Sequence, residues 1–369
     1  MGITSVPSIG IAAVATYVPP WILSNGWFDD RIPRKFIAQT GIEARAVSQE
    51  DEVTMAVRAA GLLQQDTQCD WRKCAAVIFV SPSFIPLRIA KKYLSPRGVR
   101  QERLALAARQ FAHRLKIPDS RVHATNWFCS GYARAMSMAS SLAPTLNMQR
   151  DDFILVVTSS RISRITDYGC RQTAPLFGDM ATATLVTRTD SALHPPHLEL
   201  LFADARKLDA DGVFFNFHLR NNVLTPSRSG GQAHAQQRLV FSLDGMGIAD
   251  AAPRAMTSAL KEALVATELQ PNDIQFVVPH QAGTGIVRLA MMKMESLGIG
   301  GEVVNDIIGQ VGNVSSCSIP YALKKTWGKL HGIIACPTAA VGNPGEREVS
   351  QGCLLLRTTR AHREVAAAA

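Results

Sequence analysis

The stretch ATNWFCSGYARAMSMASSLA, residues 124 to 143, decides how this chain is read. It sets one cysteine, Cys129, between the bulky apolar pair Trp127 and Phe128 and a run of small residues. Ser120 to Phe128 can extend as a strand, whereas Gly131 to Ala143 have the small side chains of a closely packed helix. A strand running into a buried helix puts Cys129 at the helix N-terminus, where unpaired N–H groups and the dipole favour a thiolate. Free cysteine is also among the most buried residue types. The sulfur is therefore either an inert core group or a nucleophile, and partners elsewhere in the chain must decide.

Working outward, strand-like runs SIGIAAVATYV, CAAVIFVSP, RVHATNWF, DDFILVVTSS and ATATLVT alternate with helical stretches such as EVTMAVRAAGLLQQ and AARQFAHRLK. This alternation argues for βαβ units on a buried sheet. After TRTDSALHPPH (187 to 197), a polar and proline-rich break, a second series begins with HLELLFADA. It continues through the helix ADAAPRAMTSALKEALVAT, the strand DIQFVVPHQ, the helix GIVRLAMMKMESLG, SIPYALKKTWGKL, GIIACPTAAVG and GCLLLRT. Two similar halves are expected, residues 1–192 and 193–369.

Composition sets limits on function. With 369 residues and 47% hydrophobic content the chain can bury a large core. Its net charge of +9 is spread out, densest in RIAKKYLSPRGVRQERLALAARQFAHRLK (88 to 116), which reads as an amphipathic surface helix. A basic surface suits phosphopantetheine, coenzyme A and acidic carrier proteins. Nucleic-acid motifs and interleaved aromatic and basic residues are absent, so no nucleic-acid partner is expected. No run of 18 or more apolar residues occurs, so no membrane span is expected. MGITSV superficially fits a myristoylation pattern, but the segment turns apolar by Ile9 and reads as the approach to a first buried strand. Seven cysteines without a CxxC pair fit reduced thiols in a cytoplasm and give no metal site. No cofactor is expected.

Two further stretches supply partners for Cys129. DIQFVVPHQAGTGI (273 to 286) ends a hydrophobic strand with His280, at the sheet edge where α/β proteins build their sites. VGNVSSCSIPYAL (311 to 323) holds Asn313 in a Gly-Asn turn leading into a helix through Pro320. Cysteine, histidine and asparagine in this order and context resemble the β-ketoacyl-acyl carrier protein synthase III family of the thiolase superfamily. TGIEARAVSQEDE (40 to 52) is similar to that family's TGI-x-x-R segment, LFGDMATATLV (176 to 186) to its FGDGA segment, PHQAG to its HQA segment, and GNVSSCSIP to its GN-x-S-x-x-S-V/I-P segment.

The resemblance implies an α/β thiolase fold, two similar βαβ-type halves forming a five-layered αβαβα core, in a homodimer. It implies that Cys129 carries an acyl group as a thioester, a task suited to a thiolate because thiol exchange is nearly isoenergetic. His280 and Asn313 would then bind the thioester carbonyl of a malonyl- or β-ketoacyl-type second substrate and stabilise its enolate, giving a Claisen condensation. The acyl carbonyl would lie between the Cys129 N–H and a backbone N–H of the C-terminal loop, from Asn343 or Gly345. Acyl carrier protein or coenzyme A thioesters would be the partners.

The chain also departs from the family. VGNPGEREVSQG (341 to 352) replaces the glycine-rich GGGFTWG loop, Lys35 and Gln39 stand where tryptophan and arginine clamp the adenine of coenzyme A, Gly283 replaces the asparagine of HQAN, and Met180 replaces the small residue of FGDGA. A basic carrier-docking position falls at Gly285, with Arg288 and Lys293 on the same helix able to substitute. These changes point to a specialised substrate. The altered loop also admits an acyltransferase on the same fold that moves the acyl group to an alcohol or amine without condensation. A papain-like hydrolase shares the order of the three residues but not the local sequence around the cysteine. A silent ketosynthase partner would lack Cys129.

Overall fold

The structure is a computed structural model that describes residues 8–33, 35–84, 104–227, 231–305 and 307–362. The first half runs β1 (Ile9–Tyr17), β2 (Ile22–Ser24), α1 (Phe36–Thr40), β3 (Ala44–Ala46), α2 (Glu52–Thr67), β4 (Cys74–Val80), α3 (Leu104–Arg114), β5 (Val122–Thr125), α4 (Gly131–Leu142), β6 (Phe153–Ser160) and β7 (Met180–Arg188). The second runs β8 (Leu198–Asp209), β9 (Phe215–Pro226), β10 (Gln232–Leu243), α5 (Gly245–Thr267), β11 (Ile274–Val277), α6 (Thr284–Glu295), β12 (Glu302–Val303), α7 (Ser318–Thr326), β13 (Ile333–Val341) and β14 (Glu348–Thr358).

Ten of these strands form one sheet in the order β12-β11-β13-β14-β8-β1-β7-β6-β4-β5. In the first half β7 is antiparallel to β1 and β6, while β4 is parallel to β6 and β5. The second half repeats the pattern: β14 is antiparallel to β8 and β13, while β11 is parallel to β13 and β12. The halves join where β1 meets β8, pairing Gly10 with Glu199 and Ile11 with Leu198. A side chain at position 10 is excluded because its Cβ would come within 2.5 Å of the Leu198 carbonyl oxygen.

Burial explains the layers. Every residue of β6 is buried, as expected for an interior strand covered on both faces. The small residues of α4 let it lie between the two halves, where Ala133, Ala135, Met136 and Ala139 share one core with Val80 and Val156 from the first half and Ile319, Ile334 and Leu354 from the second. Helices α2 and α3 cover the outer face of the first half, and α5 and α6 that of the second. The result is the five-layered αβαβα arrangement, with α4 and α7 in the middle.

Three local readings change. The strand expected over Ser120–Phe128 stops at Thr125, because Asn126 turns the chain: its Nδ2 donates to the Phe84 carbonyl and its Oδ1 accepts the Phe128 N–H. Of the basic stretch 88–116, residues 88–103 lie outside the described residues, and Leu104–Arg114 is a helix that buries Ala107, Ala108, Phe111 and Ala112. Between β8 and α5 the chain forms a long hairpin, β9 with β10, that the sequence reading left unassigned.

Candidate active site

Phe128, Cys129 and Ser130 form a tight 3-10 turn directly before α4. Phe128 enters it at φ +44, a left-handed conformation costly for a bulky residue. Behind the cysteine there is no room: a Cβ on Gly131 would come within 2.6 Å of Val80. The Cys129 carbonyl accepts a hydrogen bond from Thr338 Oγ1 of β13 at 3.1 Å, and its Sγ lies 3.5 Å from Ser315 Oγ. The residue keeps partial exposure, yet the sulfur is packed as densely as the interior. Burial pushes the thiol up to about 11, while the Ser315 hydroxyl pulls it down. At neutral pH the resting group is a thiol despite its place at a helix start.

His280 follows β11 by three residues and is almost fully buried; its N–H donates to the Pro337 carbonyl at 3.0 Å. Its Nδ1 lies 3.0 Å from Ser318 Oγ, which also accepts the Gln281 N–H at 2.8 Å. Ser318 is completely buried, and its hydroxyl donates to Nδ1 or accepts from it according to the tautomer of the ring. A serine proton donated to Nδ1 would place the ring proton on Nε2. Burial lowers the ring to about 3, so the imidazole is neutral, and in the tautomer that accepts from Ser318 it presents Nε2–H as a donor.

Asn313 is held at both backbone ends by the segment before β7: its N–H donates to the Leu176 carbonyl at 2.8 Å, and its carbonyl accepts the Gly178 N–H at 3.1 Å. Its Oδ1 accepts the Ser315 N–H at 2.9 Å, leaving the Nδ2 end of the amide as a donor. Gly312 (φ +77) has no space for a side chain between Arg45 and Gly178, and a Cβ on Gly178 would collide with the Val311 carbonyl.

The four family-like segments are thus one hydrogen-bonded unit. Arg45 is fully buried, donates to the Leu23 and Pro175 carbonyls, and lies over the Phe28 ring. Asp179 accepts from the Ser48 N–H, the Ser163 N–H and the Ser163 hydroxyl, and burial raises it to about 6. Both residues brace the Asn313 turn. Ser315, Ser318 and Thr338 were not singled out from sequence; the two serines were nonetheless visible as the spaced serines of GNVSSCSIP.

The remaining candidates are dispersed. The Asn343 N–H donates to Glu348 Oε2 at 3.3 Å and the Gly345 N–H to the Phe215 carbonyl at 2.9 Å, so in this conformation both are already engaged. Arg288 and Lys293 are exposed on α6. Gly285 cannot carry a basic side chain there, because a Cβ would come within 2.7 Å of the Gln39 carbonyl. Lys35 and Gln39 are exposed beside it. Cys317 is buried; its sulfur accepts from Thr158 Oγ1 at 3.1 Å, lies 3.2 Å from the Met180 carbonyl, and is pushed up to about 12 by burial. Among the described residues no group of three or more His, Cys, Asp or Glu could hold a metal, and no helix is long and apolar enough to cross a membrane.

The second half thus presents a buried neutral imidazole and an amide, and the first half a cysteine heading its central helix, within the repeated βαβ-type halves of a thiolase fold. Residues 125–199 match the family model of 3-oxoacyl-[acyl-carrier-protein (ACP)] synthase III and residues 264–331 its C-terminal model. The β-ketoacyl-acyl-carrier-protein synthase III of Geobacillus kaustophilus (strain HTA426) is 28% identical over 333 residues, 87% of this chain and 91% of that protein. The crystal structure of 3-oxoacyl-acyl-carrier-protein synthase III from Aquifex aeolicus superposes with a TM-score of 0.67 at 22% identity, covering 95% of this chain and 99% of that one. The priming β-ketosynthase of the R1128 polyketide pathway does so at 0.70 and 21% identity, covering 97% and 99%. Over the two matched segments and across these relatives, the chain is similar to the β-ketoacyl-acyl carrier protein synthase III family.

Proposed function

We propose that this chain is a condensing acyltransferase of the ketosynthase III type in which Cys129 carries the acyl group and His280 and Asn313 hold the second substrate. One observation carries this reading: the segment Asn313–Ser318 touches both Cys129, through Ser315, and His280, through Ser318. In the first step the Cys129 sulfur attacks an acyl thioester; the carrier thiol leaves and takes the cysteine's proton. In the second, a malonyl thioester binds with its carbonyl against His280 Nε2–H and Asn313 Nδ2. Loss of CO₂ leaves an enolate on that oxygen, and a positioned donor to such charge is worth about 3 to 4 kcal/mol. The enolate carbon attacks the acyl thioester on Cys129, a C–C bond forms, and the thiolate leaves and regains a proton from water.

The acyl carbonyl faces the Cys129 N–H, and a second donor from Asn343 or Gly345 requires that loop to exchange its present bond. Lys35, Arg288 and Lys293 form the basic surface for an acidic acyl carrier protein, with the coenzyme A thioester the weaker donor because no aromatic side chain stands at Lys35. A cytoplasmic homodimer completes the reading. The test is intact-protein mass spectrometry after incubation with acyl-carrier-protein and acyl-coenzyme A thioesters, followed by CO₂ release from malonyl-carrier protein. Acylation confined to Cys129, with CO₂ released only by the acylated protein, is the expected result. Transfer of the acyl group to an alcohol or amine without CO₂ release would overturn it.

A further inference from the structure

Among the described residues the Cys129 sulfur has one side-chain hydrogen-bond contact, the Ser315 hydroxyl at 3.5 Å, and that hydroxyl has no other. The contact joins the two halves: Cys129 lies directly before α4, and Ser315 opens the 3-10 turn Ser315–Cys317 that leads into α7. Both ends are fixed. Ser315 is buried, its N–H donates to Asn313 Oδ1 at 2.9 Å, and its φ is +52, a left-handed conformation that serine adopts at a cost. Thr338 Oγ1 holds the Cys129 carbonyl at 3.1 Å. Between a thiol and a hydroxyl either atom can donate. Once the sulfur is ionised it has no proton, and only the hydroxyl can donate. A bond to a charged acceptor is the stronger of the two, so Ser315 favours the thiolate over the thiol.

Among the described residues no charged side chain acts on the sulfur to do this instead. His280 is neutral, and burial keeps the Cys317, Cys336 and Cys353 thiols of the neighbouring turn and strands protonated. Arg134 and Lys207 lie over the Trp127 ring. Burial raises the Cys129 thiol, and of the two influences that lower it the Ser315 hydroxyl is the larger, its own backbone the smaller. We propose that Ser315 is a catalytic residue whose hydroxyl donates to the Cys129 sulfur as that atom gains negative charge, in both steps of the reaction. In loading, the Cys129 S–H bond breaks, its sulfur bonds to the acyl carbon, and the carrier sulfur leaves with the proton. In condensation, the enolate carbon bonds to the acyl carbon, the C–S bond breaks, and its electron pair returns to the Cys129 sulfur beside the same hydroxyl. The serine proton stays on its own oxygen throughout. This role deepens the condensing reading above and rests on it.

The test uses two electrophiles: iodoacetamide, which needs no carrier, and butanoyl-acyl carrier protein. Rates of modification at Cys129 are read by peptide mass mapping between about pH 7 and 9 for the wild type, Ser315→Ala and Ser315→Gly. Glycine adopts a positive φ without strain, so a loss in that variant does not come from the backbone. In each variant the thiolate fraction should fall about tenfold or more. Because a more basic thiolate is the better nucleophile, both reagents should slow by a smaller factor, about three- to tenfold, and by the same factor at every pH. Wild-type rates with iodoacetamide in either variant overturn the proposal. So does slowing with the acyl donor alone, which would put the hydroxyl to work on the acyl group and not on the sulfur. Should the alanine variant melt below the assay temperature, the glycine variant decides. If the wild type takes iodoacetamide at Cys129 but no acyl thioester, the condensing reading falls, and the iodoacetamide ratio still decides whether Ser315 acts on the sulfur.

Discussion

Replacing Ser318 by alanine removes one oxygen that serves two partners, the Gln281 N–H at 2.8 Å and His280 Nδ1 at 3.0 Å. Both are buried, and each buried polar group left unsatisfied costs about 1 to 3 kcal/mol, so the fold should lose about 2 to 6 kcal/mol. The catalytic loss is separate. Where a serine proton on Nδ1 confines the imidazole to the Nε2–H form, its removal loses part of a donor worth about 3 to 4 kcal/mol. If about 1 to 2 kcal/mol goes, condensation should slow by roughly five- to thirtyfold. Cys129 touches Ser315 and not Ser318, so acyl loading should stay within about twofold of the wild type. Loading is followed by intact mass and condensation by release of labelled CO₂ from malonyl-carrier protein, both well below the variant's melting temperature. Ser318→Thr, which keeps the hydroxyl, should restore condensation. Equal loss of loading and condensation, or unchanged condensation in a destabilised protein, would refute the tautomer argument and leave Ser318 a structural residue.

The other expectations follow from the same geometry. Because burial holds the Cys129 thiol near 11, loading should climb about tenfold per pH unit between about pH 7 and 9, and a plateau near neutrality would show that the helix terminus outweighs burial. His280, depressed to about 3, is neutral across that range, so condensation by the acylated protein should show no inflection near the ordinary imidazole value; an acid limb there, read in single-turnover rates, would contradict its neutral state. Cys129→Ala should abolish thioester-linked mass, whereas Cys317→Ala, which removes a thiol pushed up to about 12, should retain it. Gly178→Ala should depress the melting temperature and slow condensation more than loading, because the added Cβ displaces the Val311 carbonyl and with it the Asn313 turn.

How much of this was legible in the sequence depends on how local each feature is. The helix after Cys129 announces itself through small residues that only a crowded middle layer requires, and β11 through the unbroken apolar run before His280. The Gly-Asn turn shows because Gly312 sits at positive φ. The Ser318 contact was hidden: a serine after a cysteine says nothing of an imidazole 38 residues earlier in the chain. The hairpin β9–β10 was missed because much of it is exposed and polar, so strand periodicity is diluted. The short β5 was misjudged since Asn126 ends it through a bond to Phe84, far off in sequence. The loop after β13 showed its glycines and proline but not that its N–H groups already have acceptors.

The repeat extends to the backbone of the site. Phe128 at φ +44 and Ser315 at φ +52 each open a 3-10 turn three residues ahead of a central helix, α4 in one half and α7 in the other. One turn presents the sulfur and the other holds the Asn313 amide oxygen through the Ser315 N–H, so neither half contains both groups by itself. A chain severed in the connection between β7 and β8 would have to regain the β1–β8 pairing and bury α4 and α7 in their shared core before any chemistry began. Activity recovered from such fragments should depend on the product of their concentrations and saturate only once reassembly is complete. The enzyme would behave as a bimolecular complex whose affinity is set by its middle layer.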